Sequence, residues 1–316
     1  MVFVSSNKRS DNISLGVSFK KTVHLVTLVL AFLTFLSSTT YAQIDGEEFT
    51  TKKTCPIPPP RIKPTNPTMV ASYPGSGAKL TWKLIRAISG YMTSDDAVDH
   101  LDLAKQRLVI AIKTHYPARG SNDPVFQPYA DVPRSVLLIR NPMNAIPSFH
   151  SFLYEQSIGA TGHSMRAPVD KWIEWRDRHF EQEIQYWLDH IMFWMEHHPF
   201  EDRFILPYEY LIRPGAGPTE LRRLHSFLED NIEGIAEMRT PIQKVDCIWD
   251  FIVMKREDEG TDVGSMRQGG PTVWPYTHDQ INKIKAVLRE LMLKWPGQLG
   301  VLMKKYLFEV LMADRN

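Results

Sequence analysis

The sequence predicts a three-layer α/β/α domain around a central parallel sheet, and three observations carry that prediction. From Thr68 onward, short apolar runs alternate with helical patterns. The runs are nearly continuous in apolar character, which suits strands buried on both faces. Glycine, histidine and arginine fall just after the runs, where sheets of this kind bind ligands. Met69 to Tyr73 is the first strand candidate and enters Pro74-Gly75-Ser76-Gly77. Thr81 to Ser89 reads as a helix stopped by Gly90. Leu108 to Lys113 is a β-branched run broken by His115-Tyr116-Pro117. Ser135 to Ile139, ahead of Arg140-Asn141-Pro142, and Phe204 to Pro207 complete the strand candidates. Val169 to Glu196, Thr219 to Leu228 and Asp279 to Lys294 read as helices. In the last, Ile281, Ile284, Leu288, Leu291 and Trp295 share one face.

The segment ahead of this domain is different in kind. Residues 1–21 carry Lys8, Arg9, Lys20 and Lys21 and read as a short cytoplasmic tail. Residues 22–42 are uncharged, with an apolar heart from Val23 to Leu36. They read as an uncleaved signal anchor, or as a signal peptide cleaved near Thr40-Tyr41-Ala42. Residues 43–67 form a proline-rich stem, and 68–316 form the domain. With 37 Lys+Arg against 36 Asp+Glu, the formal charge is +1, so nucleic-acid binding through bulk positive charge is excluded. The 43% hydrophobic content excludes a disordered chain. Cys55 and Cys247 are the only cysteines, which excludes a disulfide-dense scaffold. They either pair, as a secretory compartment permits, or stand as two thiols. His163, His197 and His198 have no ligand-like partners nearby in sequence, and no metal site is expected.

Five motifs fall at the expected strand ends. Ser72-Tyr73-Pro74-Gly75-Ser76-Gly77-Ala78-Lys79-Leu80-Thr81-Trp82 places glycines and a lysine between a strand and a helix. There, backbone N–H groups and the helix N-terminus can receive an anion. Lys113-Thr114-His115-Tyr116-Pro117 offers a histidine able to take a proton near neutral pH. Arg140, with Ser148 at the start of the next helix, can clamp a phosphate. Tyr208-Glu209-Tyr210-Leu211 and Arg267-Gln268-Gly269-Gly270 follow. The aromatic run Trp172, Trp175, His179, Phe180, Trp187 and Trp194 has helical spacing and reads as core.

In order and spacing, these motifs together resemble the sulfotransferase family that uses 3′-phosphoadenosine 5′-phosphosulfate (PAPS), the cytosolic-type domain above all. Asp250-Phe251 to Met254-Lys255 and Trp274 add to the likeness, which covers about residues 68 to 300. The resemblance implies a P-loop-like nucleotide-binding architecture and sulfuryl transfer from PAPS to a hydroxyl or amine. It implies that Gly75, Ser76, Gly77, Ala78, Lys79, Leu80, Thr81 and Trp82 bind the 5′-phosphosulfate. Arg140, Ser148, Arg267, Gln268 and Gly269 would hold the 3′-phosphate end, and Trp82, Tyr208 and Phe251 the adenine. His115 would be the general base and Lys113 would support the transferring group. Behind a signal anchor, such an enzyme is expected in the Golgi, acting on glycans or other secretory cargo.

The sequence also departs from the pattern. Gly75 stands where the family's loop has a lysine, and two extra residues precede Thr81-Trp82. Lys79, within that insertion, is expected to restore the missing charge. A nucleotide kinase is the first alternative, but Lys79 is followed by Leu80 and the strand ends in Arg140, not an aspartate. A non-catalytic binding protein on the same fold is the second, and Gly75 is its support.

Overall fold

The computed structural model describes residues 55–63, 65–96, 106–117, 132–160, 165–229, 238–254 and 273–314. All lie in the unit Lys53–Asn316. The tail and anchor, His163, Lys255 and the Arg267-Gln268-Gly269 motif lie outside the described residues. Among the described residues, no helix is long and apolar enough to cross a membrane.

Five strands form the sheet: β1 (Thr68–Ser72), β2 (Thr93–Asp95), β3 (Ala111–Thr114), β4 (Arg134–Ile139) and β5 (Arg203–Pro207). Their order is β2-β3-β1-β4-β5 and every pairing is parallel. After β1 the chain lays β2 at one edge and β3 between it and β1, then crosses to the other side of β1 to lay down β4. That reversal opens a crevice beyond the end of β1.

Side chains alternate across the sheet, so each strand feeds two cores. Met69, Ala71, Ile112, Leu137, Ile139 and Ile205 enter one core. They meet α2 (Pro142–Ser157), α3 (Val169–His197), α7 (His278–Lys294) and α8 (Gln298–Ala313) there. Val70, Ala111, Val136, Leu138, Phe204 and Leu206 enter the other. That side is covered by α1 (Ala78–Ser89), the single turn α4 (Tyr208–Leu211), α5 (Gly217–Glu229) and α6 (Val245–Trp249). This is the expected three-layer α/β/α arrangement. Trp172, Phe180, Trp187 and Trp194 are all buried in the first core, as their spacing predicts.

Several boundaries differ from the sequence reading, each for a local reason. Helix α1 begins at Ala78, not Thr81, so Lys79 and Leu80 form its first turn. The two extra residues therefore lengthen the helix and leave the loop short. Helix α2 runs through two prolines. Pro142 sits at its start, where a missing N–H costs nothing, and Asn141 caps it by accepting from Met143 N at 3.1 Å. Pro147 lies inside and cannot bond the Met143 carbonyl, which takes the Tyr276 hydroxyl at 3.1 Å instead. Ser148 is thus in the second turn of α2 and not at its start. Strand β2 went unpredicted because its three residues are polar.

The described part of the proline-rich segment lies against the domain. Cys55 and Cys247 form a disulfide with Cα atoms 5.8 Å apart. Arg61 bridges Tyr91, and Arg239 Nη1 donates to the Pro59 carbonyl at 2.6 Å.

Candidate active site

The turn after β1 is shaped by two glycines that admit no side chain. Gly75 has φ +83° and Gly77 has φ +99°. A Cβ on Gly75 would stand 2.3 Å from the Ala145 carbonyl oxygen, and one on Gly77 would stand 2.2 Å from the Tyr208 ring. The first contact presses the loop onto α2 and the second onto α4. A lysine at position 75 is therefore excluded by backbone and neighbour alike. The α1 N-terminus opens directly above this turn, with its first N–H groups unpaired within the helix.

Around the turn, buried polar atoms stand without partners. Ser76 Oγ, Thr81 Oγ1, Trp82 Nε1 and Arg140 Nε make no hydrogen bond. Unpaired buried polar atoms are costly and rare. Four potential donors beside one turn match the chemistry of a phosphate or sulfate ester. Arg140 also donates Nη1 to the Gly75 carbonyl at 2.7 Å, and its guanidinium lies 4.6 Å from the Tyr208 ring centre. The loop, Arg140 and Tyr208 are thus brought together. Lys79 is exposed on the first turn of α1, while the Leu80 side chain enters the core. Leu80 and Ala78 can therefore serve an anion chiefly through their backbone N–H groups. Ser148 is half-buried on the stretch of α2 that packs on Gly75. Phe251 is half-buried in a π-helical segment, Asp250–Met254, and packs on the second core.

His115 lies just beyond β3. Its Nδ1 is 2.7 Å from the Ser72 carbonyl, to which only a protonated Nδ1 can donate. That bond leaves the lone pair on Nε2 in the neutral ring. Burial, reinforced by nearby Lys113, lowers its pKa to about 4, so the ring is neutral at pH 7 and Nε2 can accept a proton. Lys113 Nζ is 3.6 Å from Asp95 and 5.5 Å from the Trp82 ring centre, where Arg86 also stacks at 5.4 Å. Asp96, next to Asp95, accepts the Thr114 hydroxyl at 2.5 Å, and burial raises its pKa.

Several site-facing residues escaped the sequence reading. Asp95 ends the unpredicted strand β2 and Asp96 follows it directly. Glu183, Trp187, His190 and Trp194 come from one face of α3, where the sequence reading favoured core over a substrate platform and left Glu183 and His190 unnamed. Trp187 Nε1 donates to the Arg140 carbonyl at 3.2 Å and Trp194 Nε1 to the Tyr116 carbonyl at 2.8 Å. Two tryptophans flanking a histidine at helical spacing are a signal that the sequence did contain. Among the described residues, no group of three or more His, Cys, Asp or Glu is placed to hold a metal.

No family model and no curated protein matches the chain. Among solved structures, the fold is similar to the crystal structure of mouse sulfotransferase SULT7A1 complexed with PAP. The TM-score is 0.51 at 18% sequence identity, covering 77% of this chain and 88% of that one. The chain therefore has a sulfotransferase-type α/β fold.

Proposed function

We propose that the chain is a PAPS-dependent sulfotransferase that transfers the sulfuryl group to a hydroxyl or amine acceptor. The observation that carries this reading is the set of unpaired atoms around the Gly75–Gly77 turn: Ser76 Oγ, Thr81 Oγ1, Trp82 Nε1 and Arg140 Nε. They suit the two anionic ends of PAPS, and the likeness to a sulfotransferase complexed with PAP supports the same ligand. Ser76, Thr81 and the N–H groups of α1 would bind the 5′-phosphosulfate. Arg140 and Ser148, with Arg267, Gln268 and Gly269, would hold the 3′-phosphate, and Trp82, Tyr208 and Phe251 the adenine.

In this mechanism, the acceptor oxygen or nitrogen attacks sulfur as the bond from sulfur to the 5′-phosphate oxygen breaks. His115 Nε2 takes the acceptor proton, and the Ser72 carbonyl holds the resulting imidazolium in place. PAP leaves with the bond electrons, and the helix N-terminus, Lys113 and Lys79 offset the charge that develops on it. Orientation and electrostatics supply most of the acceleration, as in phosphoryl transfer. Lys79 is assigned this part because no side chain fits at position 75. We place the protein in the secretory pathway as a Golgi type II membrane protein, with glycans or other secretory cargo as acceptors. The Cys55–Cys247 disulfide supports an oxidising compartment.

The test is transfer of labelled sulfate from PAPS to a panel of carbohydrates, tyrosine peptides and small alcohols, alongside calorimetric PAP binding. Transfer to any acceptor supports the reading. PAP binding without transfer to any of them would establish instead a binding protein on this fold.

A further inference from the structure

Helix α3 lies across the carboxyl ends of three strands and is tied to each. Glu183 accepts the Tyr73 hydroxyl after β1 at 2.6 Å. Trp187 binds the carbonyl after β4, and Trp194 binds the one at Tyr116 after β3. His190 stands between these tryptophans at helical spacing, on the same face. It is 1% exposed. The Tyr116 carbonyl, which also accepts from Trp194, is within reach of one ring nitrogen, and the other has no partner.

A neutral imidazole always presents one donor and one acceptor. Burying either one unpaired is unfavourable, and an apolar residue of that size would be better there if packing were the only need. The position argues for a ligand. His190 is close enough to His115 for the two rings to interact electrostatically, and burial, then His115, hold its pKa down at about 3. An uncharged ring has little to offer the dianionic ends of PAPS, and the unpaired atoms suited to those ends gather around the Gly75–Gly77 turn. The side on which His115 stands is left for the acceptor.

We propose that His190 is an acceptor-binding residue, hydrogen-bonding a polar group that neighbours the hydroxyl or amine deprotonated by His115. The inference rests on the sulfuryl-transfer reading and narrows it to acceptors with a second polar group beside the nucleophile, as in a vicinal diol or an amino alcohol.

Two full-length variants test it, His190→Leu and His190→Gln, assayed with labelled PAPS, the vicinal diol of a simple sugar and a monohydroxyl alcohol. For His190→Leu, kcat/KM for the diol should fall about tenfold to hundredfold, mainly through KM, the loss expected for one hydrogen bond to substrate. The monohydroxyl alcohol should change less than threefold, and so should the Kd for PAP. The melting temperature of His190→Leu should hold or rise, because a buried ring with an unpaired nitrogen has been removed. His190→Gln, which keeps a donor and an acceptor, should recover part of the diol activity. Unchanged diol kinetics in His190→Leu would overturn the proposal. So would a variant that melts lower or loses PAP binding, since the ring would then serve the fold itself. If the wild type transfers sulfate to nothing while binding PAP, the sulfotransferase reading fails first and this proposal falls with it.

Discussion

Two buried polar clusters sit at the same edge of the sheet and are treated in opposite ways. In one, Glu209 accepts the Asn141 N–H at 2.9 Å and the Tyr306 hydroxyl at 2.6 Å. Asn141 Nδ2 donates to Glu309 at 2.9 Å, and Lys305 donates to Glu309 at 2.7 Å. Burial and Glu209 raise the Tyr306 pKa well above its usual value, so it stays a donor. This cluster is closed, and it fastens α8 to the ends of β4 and β5. In the other, Ser76 Oγ, Thr81 Oγ1, Trp82 Nε1 and Arg140 Nε remain open. Arg140 and Asn141 are adjacent in sequence yet belong to different clusters. The contrast separates polar groups spent on the fold from those reserved for a ligand.

The largest effect should come at the open side. His115→Ala should lower kcat by about 10²–10⁴-fold, with PAP affinity retained in calorimetry. Near-normal turnover would remove His115 from the chemistry. At the closed cluster, Tyr306→Phe should cost about 1–3 kcal/mol in denaturant unfolding while leaving PAP affinity within about threefold. Thr81→Val should show the reverse: about tenfold weaker PAP binding with little change in unfolding. If these two variants exchanged phenotypes, the distinction between the clusters would collapse. The smallest effect concerns acid. His115 and His190 have folded pKa values of about 4 and about 3, against 6.5 when unfolded. Below pH 6.5 the unfolded chain binds protons that the folded one refuses, so these rings make stability fall as pH drops toward 4. Asp96, with its pKa raised, acts in the opposite sense. Unfolding measured across pH should therefore show a shallower acid slope in His190→Leu than in the wild type.

Much of this architecture was legible because parallel strands announce themselves. Met69 to Tyr73 and Ser135 to Ile139 are apolar on both faces, and the residues ending them stand out as polar. Gly75, Gly77, His115 and Arg140 could be placed for that reason alone. The rest depended on information held elsewhere in the chain. Strand β2 is polar and short, and its pairing with β3 alone makes it a strand. Helix α2 was hidden by Pro147, whose cost is offset by Tyr276, 129 positions later in the sequence. Helix α8 exposes Val301 and Phe308, which blurs its period. His190 looked like part of an aromatic core stripe, and only the strand ends beneath it reveal that one of its nitrogens is left without a partner.

The Cys55–Cys247 link also fixes how the domain bears load. A pull applied ahead of Cys55 reaches the fold through the disulfide at α6, bypassing the twelve-residue lead into β1. The tension is then directed into the helical layer next to the π-helical segment, and the sheet is shielded from it. Stretched from its N-terminus, the oxidised protein should give way first around α6, whereas the reduced protein should be unzipped from β1.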